Sequence, residues 1–362
     1  MLRKLLVTSL ALFFLIIGRA QDSAKKAAPT VAFTGSADAY YRYNFNNPPD
    51  LPYNSPTSFT HSNNTFELGM ASIRADASFG KASATVDLGF GPRASEFAYN
   101  EVGTSSVAIK QLYVSFAASS AVKFTIGTWG THIGYEVLDA YLNRNYSMSY
   151  MFTNGPFSQT GLKADISLGG KSSLMVGISN PTDYRSASNM PKTAIAQFAT
   201  GSKDDKLKLY LNFEGGAQSD LKSTIQGDIV INYNPSAKLG LGYNGTVQGI
   251  KSRATASDDF VKSTWWGSAL YVNVDPSALF GFTVRAEYIG NPDGWITNGN
   301  AANPASLGNV FAGTLSGNFR IDNLTIIPEI RIDAAQNSVF YKSATESTAS
   351  TVSALLAVTY HF

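Results

Sequence analysis

The chain has 362 residues, of which 15% are charged, against about 25% in an average soluble domain. It contains no cysteine, which excludes disulfides, thiolate metal sites and cysteine nucleophiles. The mean hydropathy of −0.06 argues against a bundle of membrane helices, since each such helix needs about 20 apolar residues. With 22 Phe and 18 Tyr, the chain is also too aromatic to be disordered.

Residues 1–20 have the pattern of a secretion signal. The basic pair Arg3-Lys4 precedes an apolar run over residues 5–17, and the sequence Gly18-Arg19-Ala20 matches a small-x-small cleavage site. A membrane anchor is the alternative, but the apolar run is short for that role. Cleavage after Ala20 would leave 25 basic and 26 acidic residues, so no nucleic-acid surface is expected. Residues 21–30 are expected to form a short lead-in.

From Val31 onward, apolar and polar residues alternate with a period of two, which is the pattern of strands with one apolar face. In residues 31–45, for example, the odd positions are mainly apolar and the even positions mainly polar. We predict sixteen strands, at residues 31–45, 65–79, 82–90, 107–117, 121–129, 158–168, 172–179, 192–199, 207–214, 222–233, 238–248, 263–274, 280–290, 309–321, 324–333 and 350–362.

The connections between these strands are short at one end and mostly long at the other. This alternation predicts an all-β fold, an antiparallel up-and-down transmembrane β-barrel over residues 31–362 with short periplasmic turns and long extracellular loops. A large soluble β-protein is the alternative. The membrane barrel is favoured over the soluble protein because aromatic residues gather near both ends of the apolar faces and the polar faces carry charges at mid-strand. About sixteen strands would enclose a water-filled channel.

Several motifs that could carry chemistry have simpler interpretations. The sequence Gly240 to Gly245 matches GxGxxG but lies within a predicted strand, with no helix after it. Among the histidines, only His132 is a candidate for a dispersed hydrolase site. The acid pairs Asp204-Asp205 and Asp258-Asp259 lie in polar connections, where solvated turns are favoured over calcium sites. We therefore expect no enzyme, no cofactor and no metal site.

The longest loop, residues 130–157, is too aromatic to be a flexible surface segment and must bury its rings against something. We predict that it folds into the lumen and narrows it, because pore selectivity depends on lining charges. The alternative is packing over the rim or at a subunit contact. The predicted constriction residues are Tyr135, Glu136, Asp139, Tyr141 and Arg144.

The strand registers also predict which charged side chains face the lumen. Basic and acidic residues are nearly balanced there, which predicts weak ion selectivity unless the loop dominates. The predicted pore-lining residues are Arg42, Lys123, Lys163, Asp165, Lys208, Arg285, Glu287, Arg320, Glu329 and Arg331.

Residues 109–166 resemble the OmpL-like β-barrel porins of Gram-negative outer membranes. The resemblance is carried by Lys110 to Val114, Gly134-Tyr135-Glu136, Leu142 to Ser147, and the stretch from Gly155 to Lys163. The ending Tyr360-His361-Phe362 resembles the aromatic terminus that the outer-membrane assembly machinery reads, which concerns Tyr360 and Phe362. The resemblance implies a porin-like barrel in the outer membrane, and analogy with porins of this size favours a homotrimer.

The leading hypothesis is therefore an outer-membrane porin in the lipid bilayer, through which small hydrophilic solutes diffuse passively. A channel specific for a sugar-like solute, which would stack on Tyr135 and Tyr141, is one alternative. A barrel hydrolase that uses His132 is a second. A non-conducting adhesin or structural barrel is a third, with the proline-rich residues 46–64 as an exposed binding loop.

Overall fold

The alternating segments form strands that pair in sequence order around a closed barrel. In a computed structural model, the structure describes residues 28–49, 51–101, 103 and 107–362, so the predicted signal peptide lies outside the described residues. Each strand pairs antiparallel with its sequence neighbours, and the last pairs with the first. The barrel strands are β1 Thr30–Asn44, β2 Thr65–Phe79, β3 Ala82–Phe90, β4 Ile109–Ala117, β5 Val122–Gly130, β6 Ser158–Gly169, β7 Ser172–Ser179, β8 Thr193–Gly201, β9 Leu207–Ser219, β10 Lys222–Ser236, β11 Leu239–Ser252, β12 Val261–Val274, β13 Phe280–Gly290, β14 Val310–Ile321, β15 Leu324–Ala335 and β18 Ser350–His361.

The predicted count of sixteen strands is confirmed, including the poorly patterned segment at 192–199, which is β8. The connection between β9 and β10 is shorter than predicted, because β9 continues to Ser219, beyond the segment of clear alternation. Short elements in the long connections were not predicted: α1 Pro92–Phe97, a 3-10 turn at Ala140–Leu142, α2 Tyr150–Asn154 and the hairpin of β16 Phe340–Tyr341 with β17 Ser347–Thr348. Across the described residues, no helix is both long and apolar enough to cross a membrane.

Burial follows the strand period, as a barrel with a lipid-facing outside requires. In β13, Thr283, Arg285 and Glu287 are buried inside, whereas Val284 and Tyr288 between and beside them are exposed outside. Aromatic side chains are exposed near both ends of the outer surface, in the positions of two interfacial belts. They include Phe33, Phe79, Tyr233, Phe319 and Phe362 at the short-turn end, and Phe45, Phe90, Phe213, Tyr288 and Phe311 at the long-loop end.

A β-bulge explains the one basic residue on the apolar parity of β4. Asp87 pairs with Gln111 and Leu88 with Ile109, so Lys110 is the extra residue between them. The bulge turns Lys110 into the lumen, where its side chain is 97% buried. A charge that alternation alone would place in lipid is therefore inside.

The proline-rich connection is not an exposed loop, and the expectation for residues 46–64 was wrong. Most side chains between residues 52 and 62 are buried. The Arg42 guanidinium donates hydrogen bonds to the carbonyl oxygens of Tyr53 at 3.1 Å and Ser62 at 2.9 Å. The loop therefore folds inward over a lumen-facing arginine, because a buried guanidinium needs acceptors that the barrel wall does not supply.

Candidate functional site

Residues 131–157 connect β5 to β6 and pass through the lumen; they are called the crossing loop here. The loop first follows the wall formed by β10 and β11. The Gly134 amide donates a hydrogen bond to Asp228 Oδ1 at 3.1 Å, and the Tyr135 amide donates one to Asn244 Oδ1 at 3.3 Å. These wall residues point inward, so the contacts hold the loop inside the barrel.

The next anchor is a buried ion pair. Glu136 Oε1 lies 2.5 Å from Arg285 Nη1, and the Tyr271 hydroxyl donates to the same carboxylate. The rings of Tyr135 and Tyr271 stack with their centroids 4.0 Å apart. A buried charge needs both a counter-charge and hydrogen bonds, and the loop and the wall supply them to each other.

On the opposite wall, the loop is held by the bulged lysine. Lys110 Nζ lies 2.6 Å from Asp139 Oδ1 and 3.0 Å from Asp87 Oδ1. Burial raises the pKa of Asp139, and the charge of Lys110 opposes this rise. The loop therefore spans the lumen between β13 and β4.

Two further predicted constriction residues lie toward the short-turn end. Arg144 forms a bidentate pair with Asp275, each N···O distance being 2.8 Å, in the turn between β12 and β13. Tyr141 stacks on the ring of His361, with centroids 4.8 Å apart. Both side chains thus engage partners on the barrel itself.

The loop then crosses to β15 and β1. The Tyr146 amide donates to Glu329 at 2.8 Å, and its hydroxyl donates to Asp38 at 2.5 Å. Arg331 Nη1 donates to the Met148 carbonyl oxygen at 2.6 Å. Lumen-facing charges therefore bind loop backbone that would otherwise be buried without partners.

An apolar cluster completes this packing. It joins Phe59 of the first connection, Phe97 of α1, and Met148, Phe152 and Phe157 of the crossing loop. Fully burying a phenylalanine contributes about 1.5–3 kcal/mol, so this cluster explains why so aromatic a loop leaves bulk water.

The predicted pore-lining residues divide into two groups. One group is buried beneath the loops and binds them: Arg42, Arg285, Glu287, Glu329 and Arg331. The other group is at least partly exposed within the barrel: Lys123, Lys163, Asp165, Lys208 and Arg320. The first group thus supports the loops, and the second group is the one in contact with water.

Two cavities approach each other from opposite ends of the barrel. The inner cavity, of 480 Å³, lies toward the short turns and is bounded by Phe97, Phe157 and Thr131, among others. The outer cavity, of 320 Å³, lies toward the long loops and is bounded by Tyr99 and Pro156. The adjacent residues Pro156 and Phe157 therefore face different cavities, which places this part of the crossing loop between them.

The buried cation Arg93 was missed in the sequence. Its guanidinium carbon lies 4.8 Å from the ring centroids of both Phe59 and Tyr146, and Nε lies 3.9 Å from Asp38. Arg93 lies in the short helix α1, in a connection without strand periodicity, so no strand register placed it in the lumen. The off-parity position of Lys110 was the one available signal for the other missed cation.

The structure does not support the hydrolase alternative, which needs a nucleophile beside His132. Its Nε2 lies 3.0 Å from the Phe213 carbonyl oxygen, and burial lowers its pKa. None of its hydrogen bonds among the described residues joins a serine. Within the same residues, no group of three or more His, Asp or Glu side chains could hold a metal ion.

A membrane barrel of sixteen strands with an inward-folded loop is the architecture of porins. A family model described as beta-barrel porin-2, OmpL-like, matches residues 30–362. The chain belongs to this family and is an outer-membrane β-barrel of the porin type. The resemblance of residues 109–166 to OmpL-like porins is thereby confirmed, and the family and fold point to a channel.

The solved structures similar to this chain share its fold at low identity. The outer membrane channel DcaP of Acinetobacter baumannii has a TM-score of 0.63 and 11% identity, covering 94% of this chain and 99% of its own. The anion-selective porin from Comamonas acidovorans has a TM-score of 0.59 and 9% identity, covering 92% of this chain and 100% of its own. The trimer form of OmpT from Vibrio cholerae has a TM-score of 0.59 and 9% identity, covering 93% of this chain and 100% of its own. No curated protein matches significantly.

Proposed function

We propose that this protein is a porin whose pore, for passive diffusion of small hydrophilic solutes, is constricted by the crossing loop. The observation that carries the proposal is the pair of cavities toward opposite ends of the barrel, of which one is lined by Phe157 and the other by Pro156 of the crossing loop. Hydrophobic constrictions of this kind control passage in channels. The nearly balanced lumen charge supports weak ion selectivity overall.

The test is single-channel conductance of the refolded mature protein, residues 21–362, in a planar bilayer. A version lacking residues 135–152 should give steps larger by about twofold or more, because the constriction is removed. Phe157→Ala should give an intermediate increase, since it shortens the aromatic barrier without removing the ion pairs. Phe319→Ala, on the outer surface, is the control and should leave the steps unchanged.

A homotrimer is part of the same proposal, supported by the trimer form of the similar OmpT structure. It predicts conductance steps that appear in groups of three. A folded barrel without any steps, in either the wild type or the deletion variant, would contradict the porin proposal and favour an adhesin or structural role.

The sugar-specific alternative receives less support. Stacking on a sugar needs a free aromatic face. Tyr135 already stacks on Tyr271, and Tyr141 already stacks on His361. Flux that increases linearly with solute concentration would agree with passive diffusion, and saturable flux of one sugar would favour the specific channel.

A further inference from the structure

Two lysines are exceptions to the rule that charged strand residues face the lumen. Lys251 on β11 and Lys262 on β12 are next to Ile250 and Ser263, which pair with each other on the inner face, so both lysine side chains point outward. Both are exposed. Every other charged side chain of the described barrel strands lies on the lumen side. The outer wall is otherwise uncharged, so these two positions need an explanation.

The two lysines are direct neighbours across the sheet. Lys251 pairs with Lys262 in the register of β11 and β12, which places their Cβ atoms about 5 Å apart. Like charges directly opposite each other on one face destabilise a sheet. Among the described residues, no carboxylate lies within 4 Å of either ammonium group. The barrel therefore keeps a repulsive pair that its own acids do not neutralise.

A third cation is held beside this pair by Phe260. The Arg253 guanidinium carbon lies 4.5 Å from the centroid of the Phe260 ring, and Lys251 Nζ lies 5.2 Å from it. Arg253 also donates hydrogen bonds to the carbonyl oxygens of Ala256 at 2.7 Å and Asp220 at 3.2 Å. These contacts fix the guanidinium without neutralising it. Three positive charges therefore share one patch of the outer surface.

Two acids of the neighbouring loops bind other groups. Asp258 accepts hydrogen bonds from the amide and the hydroxyl of Thr255, at 2.7 and 2.8 Å. Asp293 accepts one from the Thr264 amide at 2.7 Å. Within the described part of the chain, neither acid forms an ion pair with the three cations. The patch is therefore complementary to an anion from outside the protein.

The position of the patch along the barrel axis indicates the source of this anion. Trp266, four residues along β12 from Lys262, is 43% exposed and packs beside Tyr288 in the aromatic belt of the long-loop end. A tilted strand rises about 2.5 Å per residue along the membrane normal, so the two lysines lie about 10 Å beyond Trp266. Their flexible stems can reach back toward the belt. This is the level of the lipid head groups, whose phosphates carry the complementary charge.

We propose that Lys251, Arg253 and Lys262 form a binding site for the phosphate groups of a lipid in the outer leaflet. Ammonium and guanidinium groups are the side chains that bind phosphate. The exposed ring of Trp266, on the membrane side of the patch, suits the apolar part of the same lipid. This inference rests on the fold and the outer-membrane location, and it does not depend on conductance.

The test uses the refolded mature protein in phosphatidylcholine vesicles that contain or lack about 10 mol% lipid A, a glycolipid with two phosphates. EDTA is present, so that divalent cations do not bridge phosphates to acids. The readout is the midpoint temperature of heat-modifiable migration on gels, which also shows that each variant is folded. Lipid A should raise the wild-type midpoint by about 3 °C or more, because a ligand that binds only the folded state stabilises it.

Lys251→Gln/Lys262→Gln should lose most of this rise. Without lipid A, its midpoint should equal or exceed that of the wild type, because a repulsive pair has been removed. Lys262→Glu places an opposite charge against Lys251, so it should raise the midpoint without lipid A and reduce the rise that lipid A produces. Lys123→Gln/Lys208→Gln removes two lysines that face the lumen and is the matched control, which should keep the rise.

Two further additions distinguish the source of the phosphate. Dephosphorylated lipid A and free inorganic phosphate should each fail to raise the midpoint, because the first lacks the charge and the second is not concentrated at the membrane. A rise with either of them, or an equal rise with lipid A in Lys251→Gln/Lys262→Gln, would overturn the proposed lipid site. A double variant less stable than the wild type in phosphatidylcholine alone would also overturn it, because the lysines would then stabilise the barrel itself.

Discussion

At the scale of single residues, charged side chains in the lumen hold the loops in place. Lys110, Arg285 and Arg331 each pair with an acid of the wall, and each also binds the crossing loop. Removing one partner of such a buried pair costs about 3–5 kcal/mol, because the other charge stays in place without compensation. These residues therefore act mainly on the position of the crossing loop, and less on which solutes pass beside it.

His61 is a residue whose protonation should affect the first connection. Its Nδ1 lies 3.0 Å from the Ser55 carbonyl oxygen and its Nε2 lies 3.1 Å from Glu96 Oε1. Both neighbours are acceptors, so the doubly protonated ring satisfies both. Burial lowers the pKa of His61, but the hydrogen bond and charge of Glu96 outweigh it, and the pKa is raised above 6.5.

Because the folded pKa is raised, this contact stabilises the loop fully below pH 6.5 and is lost as the pH rises through the folded value. We expect amide exchange in residues 52–62, corrected for its intrinsic pH dependence, to be faster at pH 8.5 than at pH 6. The side chains are about one-third exposed, so the effect should be below about 1 kcal/mol. Glu96→Gln should abolish the pH difference, and an unchanged difference in that variant would contradict the assignment.

At the scale of elements, the crossing loop requires close approach to the wall. A Cβ atom on Gly242 of β11 would lie 2.6 Å from the Tyr135 ring, which is closer than packed atoms tolerate. The glycine therefore leaves the space in which Tyr135 stacks on Tyr271.

Gly242→Ala should displace the first part of the crossing loop, at a cost of about 1–3 kcal/mol. We expect faster amide exchange at residues 134–136 and altered conductance steps. Gly227→Ala on β10 is the matched control, because its Cβ would approach nothing closer than Val247 at 4.0 Å. Equal effects of the two substitutions would indicate a general effect of alanine in these strands, rather than a clash with Tyr135.

The strands could be predicted from the sequence because successive side chains point alternately to lipid and to the lumen, which require apolar and polar residues respectively. The loops could not be predicted in the same way. The burial of residues 52–62 depends on Arg42, Glu96 and the crossing loop, which only the closed barrel brings together. Composition predicted that the crossing loop is buried, but not that Glu136 would meet Arg285.

At the scale of the whole molecule, the barrel closes where its two termini meet. The amide of Gly35 donates to the Phe362 carbonyl oxygen at 3.1 Å, and the Phe362 amide donates back to Gly35 at 3.0 Å. The Phe362 ring is 59% exposed on the outer surface. Phe362 thus combines a backbone role in barrel closure with an exposed side chain.

We expect Phe362→Ala to separate these two roles. The backbone hydrogen bonds remain, so refolding of the purified variant into lipid vesicles should match the wild type. Assembly in the outer membrane of cells should fall several-fold if the assembly machinery reads the ring. Folded protein is measured by heat-modifiable migration in both settings, with Phe319→Ala as the control. Equal yields in cells would contradict recognition of Phe362.

The ion pair between Glu136 and Arg285 joins positions 149 residues apart in the chain, so the crossing loop is held by a contact that local folding cannot supply. The strands on either side of the loop, β5 and β6, pair directly with each other, but Glu136 meets Arg285 only when β13 stands in the wall. Because a non-local contact forms only after the chain between its partners has been ordered, we expect the wall to form before the loop is fixed inside it. The narrowing of the lumen is therefore a late step of folding.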